Sequence, residues 1–312
     1  MRVIGVSEFG GPDVLREFQV PPRHAGPGEV RVRVRAAAVN PTDTLLRSGA
    51  QAERLRDVPP PYVPGMDVAG ELDEVGEGVD TGLAVGDRVV AIVVPHGSHG
   101  GYSESLVLPA RSVVRAPAGA DHPAAATLPM NAMTARQALD LLELAPGETI
   151  AVTGAAGAFG GCTIQLAKAD GLRVIADAAD RDRELVRSLG ADVVVPRGDD
   201  VAARIREVEP DGVPAIADGA LLNDRLLPAV RDGGRISTTR FFTADAERGI
   251  SYRPVSVREY AQEWEKLDRL RSQVDEGVLD LRLARTYPAA EAAEAHRALA
   301  AGGVRGRLVL EF

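Results

Sequence analysis

Apolar and charged residues alternate with a period of two in the first third of the chain. The segment E-V-R-V-R-V-R-A, residues 29–36, shows this spacing most clearly. It predicts a strand with one face in water and the other in a core. Similar short segments are separated by Gly and Pro, as at Gly10-Gly11-Pro12, which is typical of a barrel-like all-β domain. The predicted strands are Val3–Phe9, Glu29–Val39, Ala69–Val75, Arg88–Val93 and Ser103–Leu108.

The spacing becomes helical from Ala124 to Leu144, and from Thr149 short apolar strands alternate with helices. This alternation is typical of a doubly wound parallel sheet, so we predict an α/β protein. A long amphipathic helix is predicted over Ser256–Glu276, with Ser256 as its N-cap. The predicted strands of the sheet are Thr149–Thr153, Arg173–Ala176, Asp192–Val195, Ala215–Asp218 and Arg235–Thr239, and the predicted helices are Phe159–Ala169, Arg181–Leu189, Val201–Val208 and Asn223–Val230.

A turn rich in Gly and Ala joins the first of these strands to the first helix. In Ala155-x-Gly157-x-x-Gly160 small residues allow the backbone to approach a ligand, and Gly160 allows the helix to pack on the strand. Free N–H groups at a helix start favour a pyrophosphate, which predicts a dinucleotide site. Ala155 takes the place of the usual first Gly, and the alternative is a tight turn that binds nothing. The residues predicted to contact the dinucleotide here are Ala155, Ala156, Gly157, Phe159 and Gly160.

Composition excludes several classes of protein. The 312 residues carry 36 Lys and Arg against 45 Asp and Glu, a net charge of −9, which argues against nucleic acid as a partner. Cys162 is the only cysteine, so the chain has no internal disulfide and no cysteine-rich zinc site. It shows no signal peptide and no run of about 18 apolar residues, from which we expect a cytoplasmic protein that does not enter membranes.

Eight short motifs lie along nearly the whole chain in an order that resembles one superfamily. They are Asn40-Pro41-Thr42-Asp43, Pro64-Gly65-Met66-Asp67-Val68-Ala69-Gly70, Val85-Gly86-Asp87-Arg88-Val89, Gly100-Gly101-Tyr102-Ser103-Glu104, Leu128-Pro129-Met130-Asn131-Ala132-Met133-Thr134-Ala135, Gly154-Ala155-Ala156-Gly157-Ala158-Phe159-Gly160, Leu189-Gly190-Ala191-Asp192 and Val304-Arg305-Gly306-Arg307-Leu308-Val309-Leu310. The chain resembles the medium-chain dehydrogenase/reductase superfamily, within it the zinc-independent quinone oxidoreductase group.

The resemblance implies a GroES-like β-barrel domain over residues 1–120 and 256–312, and a Rossmann domain over residues 121–255. It implies NAD(P)H-dependent reduction of a small-molecule carbonyl or quinone in a cleft between the domains, and a homodimer. Two other functions stay open. One is a specialised biosynthetic reductase, and the other is a nicotinamide-binding structural or regulatory protein with little turnover, because fold does not dictate function.

No metal site is predicted. Zinc-dependent relatives place Cys and His ligands on the loops aligned with residues 40–43 and 64–67, and this sequence has neither there. A catalytic zinc needs about three protein ligands. His96 and His99 are close in sequence, but two ligands without a third are poor, and a solvated loop is the favoured interpretation.

Candidate catalytic residues come from the resemblance and from the needs of hydride transfer. Charge that develops on a carbonyl oxygen is stabilised by a hydrogen-bond donor. The resemblance implies that Asn40 faces the nicotinamide and substrate as an amide donor, with Asp43 beside it on a loop, although both are common in turns. Asn131 and Thr134 resemble the nicotinamide-side helix start, and capping is the alternative. Tyr62 is a candidate proton donor or a packing residue.

Four further residues are assigned to the cofactor by resemblance. Phe241 and Phe242 follow a predicted strand, where relatives place apolar residues against the nicotinamide, and core packing is the alternative. Arg240 beside them is a candidate for biasing substrate choice. Arg305 and Arg307 belong to the last motif and are predicted to bind the cofactor.

The sequence favours NADPH and leaves NADH open. Asp177 lies 17 residues beyond Gly160, after the second strand, where an acidic side chain accepts from a ribose 2′-OH and favours NAD. Arg181 and Arg183, at the next helix start, are candidates for binding a 2′-phosphate. The alternative interpretation of Asp177-Ala178-Ala179-Asp180 is that Asp180 caps that helix.

Overall fold

The computed structural model describes residues 1–245 and 247–312, and two compact units account for them. The predicted limits, 1–120 with 256–312 and 121–255, stay a prediction as domain boundaries. The observed first unit comprises Met1–Met130, Ala261–Glu276 and Leu281–Phe312, and the second comprises Asn131–Tyr260 and Gly277–Asp280.

Strands and α-helices are numbered in chain order. The strands are β1 (Arg2–Gly5), β2 (Arg16–Gln19), β3 (Glu29–Ala38), β4 (Asp67–Val75), β5 (Arg88–Ile92), β6 (Ser105–Pro109), β7 (Val113–Arg115), β8 (Thr149–Thr153), β9 (Arg173–Ala178), β10 (Val193–Pro196), β11 (Val213–Asp218), β12 (Val230–Thr238), β13 (Ser251–Pro254), β14 (Leu283–Pro288) and β15 (Arg307–Glu311). The α-helices are α1 (Pro41–Ser48), α2 (His122–Ala125), α3 (Pro129–Leu142), α4 (Ala158–Ala169), α5 (Arg183–Ser188), α6 (Val201–Val208), α7 (Trp264–Asp275) and α8 (Ala292–Ala301).

The first unit is built on a mainly antiparallel sheet in the order β14-β15-β3-β4-β5-β7, and β6 also pairs with β3. β14 and β15 run parallel, while β1 and β2 form a separate antiparallel pair. The predicted alternation in β3 is confirmed, since Val30, Val32 and Val34 are buried and Arg33 is exposed. The valines pack into the core because their face of the pleat is turned away from water.

The second unit contains a parallel sheet in the order β10-β9-β8-β11-β12-β13. Its central strands β8 and β11 are almost entirely buried, as strands covered on both faces are, and Ile150, Ile175, Ile216 and Ile236 are fully buried. The predicted α/β fold is confirmed. Strand order reverses between β8 and β11, and ligands of such sheets bind outside the carboxyl ends of the strands at that point.

Two predicted helices differ from the structure. The predicted helix over Ser256–Glu276 is a 3-10 turn, Val257–Tyr260, followed by α7, because the chain passes from one unit to the other after Tyr260. The predicted helix near Asn223 is a 3-10 helix that contains Pro228, which has no N–H to continue an α-helix.

In the described residues, no helix has the length and apolar character needed to cross a bilayer.

Candidate active site

Asn40 begins a helix, so the prediction that Asn40 and Asp43 lie on a loop was wrong. Asn40 is the N-cap of α1, Pro41 is its first residue, and the Asp43 carboxylate accepts from the Asn40 N–H at 2.8 Å. This is a capping box, in which the cap residue and the third helical residue satisfy each other's free N–H groups. The same residue types that indicate turns therefore start a helix here.

Asp43 is a buried carboxylate at this helix start. Its side chain is held by three donors, the Asn40 N–H, the Gly65 N–H at 2.9 Å and the Tyr102 hydroxyl at 3.1 Å. Burial raises the pKa of Asp43 to about 6, and the three hydrogen bonds oppose the rise because they favour the charged form.

Asp67, at the start of β4, joins Asn40 to the end of the chain. Its Oδ2 accepts from Asn40 Nδ2 at 2.8 Å and from Arg307 Nη2 at 3.1 Å, and its Oδ1 accepts from the Met130 N–H. Both Asp67 and Arg307 are buried. Burial raises the pKa of Asp67, and Arg307 opposes this shift.

The amide hydrogens of Asn40 are therefore already used. Nδ2 donates to Asp67 and, at 3.3 Å, to the Ala38 carbonyl, and only 3% of the residue is exposed. The amide orientation follows from the Asp67 carboxylate, which can only accept. To donate to substrate, as predicted, Asn40 would need an amide N–H that points toward the substrate. Both of its amide hydrogens point into the buried group instead.

Two residues that sequence analysis did not assign complete the buried group. The Tyr102 hydroxyl lies 3.0 Å from Nε2 of His296, and both residues are fully buried. Tyr102 lies in the motif Gly100-Gly101-Tyr102-Ser103-Glu104, whose residue types do not by themselves indicate a catalytic role. His296 lies in α8 among buried alanines, and a histidine on an otherwise apolar helix face was the signal available for it.

The remaining predicted residues of the first unit have partners of their own. Tyr62 donates to the Val58 carbonyl at 3.0 Å and stacks on Phe9 at 5.2 Å between ring centroids. Arg307 is bound within the buried group, at Asp67 and the Val39 carbonyl, and is only 5% exposed, which argues against a direct contact with a cofactor. Arg305 is half-buried and stays a prediction.

The turn at residues 154–160 of the second unit, called the phosphate turn below, requires glycine at its first position. Gly154 has φ +65°, and a Cβ there would lie 2.8 Å from the Gly219 carbonyl carbon. Gly154 therefore supplies the left-handed turn, one residue before Ala155, which takes the place of the usual first Gly. Ala155 is fully buried and keeps an ordinary backbone.

Helix α4 starts at this turn with free N–H groups. Gly157 is its N-cap, and the helical hydrogen bond from Gly161 to the Gly157 carbonyl is 3.0 Å long. The N–H groups of Ala158, Phe159 and Gly160 precede that bond, so they have no acceptor within the helix. With the helix dipole they form a site suited to an anion.

Gly157 and Gly160, the two later glycines of the turn, have different structural roles. A Cβ at Gly160 would lie 2.5 Å from the Gly154 carbonyl oxygen and 2.7 Å from Cα of Ala155. This confirms that Gly160 lets the helix pack on the strand end. A Cβ at Gly157 would contact only the Gly154 carbonyl oxygen, at 3.0 Å, so the space above Gly157 is open for a ligand.

Asp177 braces the turn. It lies within β9, not after it as predicted, and only 6% of it is exposed. Its Oδ1 accepts from the Ala155 N–H at 3.1 Å, and burial raises its pKa. A contact with a ribose 2′-OH would need the Asp177 carboxylate to point away from the turn. The hydrogen bond to the Ala155 N–H opposes that orientation.

The basic residues after β9 lie near the surface. The side chain of Arg181 is 75% exposed in the 3-10 turn Asp180–Asp182, and that of Arg183 is 32% exposed, with Nε 3.3 Å from Asp180. Asp182, not Asp180, precedes the first residue of α5. Arg181 is thus the more accessible guanidinium for a 2′-phosphate.

The segment after β12 carries the predicted aromatic wall. Phe241 is 51% exposed and, like Arg240, has a left-handed backbone, with φ values of +60° and +58°. Phe242 packs edge-on against Tyr252 at 5.2 Å, and its carbonyl accepts from Thr238 Oγ1 at 2.6 Å. Packing explains Phe242, whereas Phe241 has an aromatic face toward solvent.

Asn131 and Thr134 lie on the first two turns of α3, both half-buried. The Asn131 Nδ2 is buried and has no hydrogen-bond partner among the described residues. Buried amide groups are normally paired, so this donor suits an acceptor on a ligand. The nicotinamide contact of Asn131 and Thr134 stays a prediction.

The loops that hold zinc in zinc-dependent relatives do not fit a zinc ion here. Asp67 faces the positive Arg307 guanidinium at 3.1 Å, which opposes a second cation. Over residues 1–245 and 247–312, no three His, Cys, Asp or Glu side chains group in a way that would hold a metal. His96 and His99 pair through their main chains, with N–H to carbonyl distances of 2.8 and 3.0 Å.

Known proteins resemble the chain over its whole length. Residues 26–118 match the alcohol dehydrogenase GroES-like domain, and residues 189–310 match the zinc-binding dehydrogenase family. A quinone oxidoreductase of Pseudomonas aeruginosa is 33% identical over 98% of both chains. An NAD-dependent alcohol dehydrogenase structure is 30% identical with a TM-score of 0.85, and a mycobacterial protein solved with NADPH is 28% identical with a TM-score of 0.86; both alignments cover 100% of both chains.

Proposed function

The chain belongs to the quinone oxidoreductase group of the medium-chain dehydrogenase/reductase superfamily, and we propose that it reduces quinones or other α,β-unsaturated carbonyl compounds with NADPH. The observation that carries this proposal is the phosphate turn at residues 154–160, at the carboxyl edge of a parallel sheet. A quinone is itself a conjugated carbonyl compound, so one hydride chemistry serves both substrate classes.

The residues of the second unit fit a bound dinucleotide. NADPH would supply the hydride. We propose that the N–H groups of Ala158, Phe159 and Gly160 hold its pyrophosphate, and that Arg181 binds the 2′-phosphate through charge-assisted hydrogen bonds. NADH is the second candidate, because one similar structure is NAD-dependent.

We propose that the buried residues of the first unit set the geometry of the site and do not exchange protons with substrate. Asn40, Asp43 and Asp67 donate and accept among themselves, so the proton that completes the reduction comes from water. We further propose catalysis without zinc, because Asp67 is committed to Arg307. We propose a homodimer from the family resemblance alone, and a cytoplasmic location from the sequence.

Steady-state oxidation of NADPH with a panel of quinones, enals and enones tests the function. We expect turnover with several acceptors, unchanged by a chelator, in protein that carries no stoichiometric zinc by elemental analysis. Activity restricted to one acceptor would favour the specialised biosynthetic reductase. Tight NADPH binding without turnover on any acceptor would support the structural or regulatory alternative, and one tightly held zinc per chain would contradict the zinc-independent mechanism.

Cofactor choice is expected to depend on Arg181. Arg181→Ala should weaken NADPH binding by about ten-fold or more and leave NADH nearly unchanged, because only NADPH carries the 2′-phosphate. Arg187→Ala, an exposed arginine on the same α5 region, is the matched control and should change neither. Calorimetry at one ionic strength decides the case, and an equal loss for both cofactors would exclude Arg181 from the 2′ position.

The paired variant in this experiment is Asp177→Ala. On the sequence alone, this substitution would favour NADPH, because a carboxylate beside the ribose repels a 2′-phosphate. The structure changes that expectation. In the variant the Ala155 N–H has no acceptor, so the phosphate turn loses the hydrogen bond that holds it to β9. Both cofactors should therefore bind more weakly, and a gain for NADPH alone would restore the original interpretation.

A further inference from the structure

A chain of hydrogen bonds crosses the first unit from its last helix to its first. Nε2 of His296 in α8 lies 3.0 Å from the Tyr102 hydroxyl, which lies 3.1 Å from Oδ2 of Asp43 in α1. His296 and Tyr102 are fully buried and Asp43 is 1% exposed. Three polar side chains removed from water in this way must satisfy one another, because each unpaired group would carry a desolvation cost.

The donors and acceptors allow one direction along this chain when Asp43 is ionised. The carboxylate can only accept, so the single hydroxyl hydrogen of Tyr102 points to Asp43. The Tyr102 oxygen then accepts from His296, which must carry its hydrogen on Nε2. Nδ1 of His296 is buried without a hydrogen-bond partner in the described part of the chain, which suits a bare lone pair better than an N–H.

We propose that Tyr102 and His296 are positioning residues. Neutral His296 donates to Tyr102, and Tyr102 donates to Asp43. These two hydrogen bonds hold Asp43 in place and so fix the Asn40–Asp43 cap that starts α1. The kinetic part of this proposal rests on the proposed function. The structural part does not, because the hydrogen-bond chain lies within the first unit and needs no ligand.

Burial, together with nearby charges, keeps the members of this hydrogen-bond chain in these forms. Burial raises the pKa of Tyr102 well above its usual range and lowers that of His296 to about 3, so both stay neutral near pH 7. Asp67 and Arg307 act on Tyr102 with opposite signs, and Arg47 of α1 further lowers the pKa of His296.

Asp43 is the member that titrates, at a pKa of about 6, raised mainly by burial, with the nearby Asp67 adding to the rise. Protonation of Asp43 removes its charge and turns one of its lone pairs into an O–H donor, so the hydrogen bonds from the Asn40 N–H, the Gly65 N–H and the Tyr102 hydroxyl weaken. We therefore expect kcat to fall as the pH drops through about 6, because the cap loosens.

The first test is the tautomer of His296, read by long-range proton–nitrogen NMR on the full chain. We expect the neutral Nε2–H form between pH 5 and 8, assigned by its loss from the spectrum of His296→Gln. A neutral Nδ1–H tautomer, or an imidazole that titrates in this range, would overturn the proposal whether or not the protein has reductase activity.

The second test is the pH profile of Tyr102→Phe, which removes one hydroxyl and keeps the ring. Asp43 loses a donor, its pKa rises, and the acid limb of kcat should move upward by about one pH unit or more, while NADPH affinity stays unchanged. Tyr287→Phe is the matched control, since Tyr287 is buried in the core of the same unit, and its limb should not move.

The outcomes separate the two proposals. A lower kcat with an unmoved acid limb would reduce Tyr102 to a packing residue and overturn its positioning role. If the wild type reduces no quinone or enone, the proposed function fails. The hydrogen-bond chain can still be tested, because the titration of Asp43 can be followed by carboxyl carbon NMR in wild type and in Tyr102→Phe. An unshifted Asp43 pKa in Tyr102→Phe would contradict it.

Discussion

Gly157→Val is expected to abolish dinucleotide binding while the chain keeps its fold. Gly157 has φ −72° and ψ 174°, a backbone that any residue adopts, and a Cβ there would meet only the Gly154 carbonyl oxygen at 3.0 Å. The valine side chain would therefore occupy the open space where a pyrophosphate meets the start of α4. We expect a loss of roughly 100-fold or more, about 2.7 kcal/mol.

Calorimetric titration with NADPH measures this loss, and thermal unfolding monitors the fold. Gly11→Val is the matched control, because Gly11 has φ −68° and ψ 177° at a helix start and nothing lies within 4 Å of its Cβ position. Gly160→Ala should instead lower the thermal stability of the protein, since its Cβ would lie 2.5 Å from the Gly154 carbonyl oxygen. Unchanged NADPH affinity in Gly157→Val would show that the cofactor site lies elsewhere.

Arg307→Leu is expected to destabilise the first unit by about 3–5 kcal/mol, because it leaves the buried Asp67 carboxylate without its counter-charge. The pKa of Asp67 is raised by burial, and the loss of Arg307 should raise it further. A group whose folded pKa is raised stabilises the fold below its unfolded pKa, about 3.9, and loses that contribution as the pH rises. The destabilisation should therefore be smaller at pH 4 than at pH 8.

Urea unfolding of wild type and variant at both pH values measures this effect. Arg307→Leu combined with Asp67→Asn should recover part of the loss, since no buried charge is then left unpaired. Arg111→Leu is the surface control, because the pair of Arg111 with Glu265 is exposed and should matter little. A loss in Arg307→Leu that is equal at both pH values and additive in the double variant would contradict a buried ion pair.

The sequence by itself determined the parallel sheet, the strand β3 and the phosphate turn. These features depend on side chains close together in the chain, such as the alternating valines of β3 or the glycines at 157 and 160. Their periodicity and backbone needs are readable without the fold. The same local logic failed where a residue type has two common uses, as with Asn40, which starts a helix where a loop was predicted.

Only the tertiary structure decided which polar groups meet and which way they face. His296 and Tyr102 are 194 residues apart in the sequence, and Asn40 and Asp67 are 27 apart, yet each pair is buried within hydrogen-bond distance. The packing of strands and helices from distant segments brings them together. Once they are buried, each donor must take the acceptor the fold provides, and this turns the Asn40 amide toward Asp67.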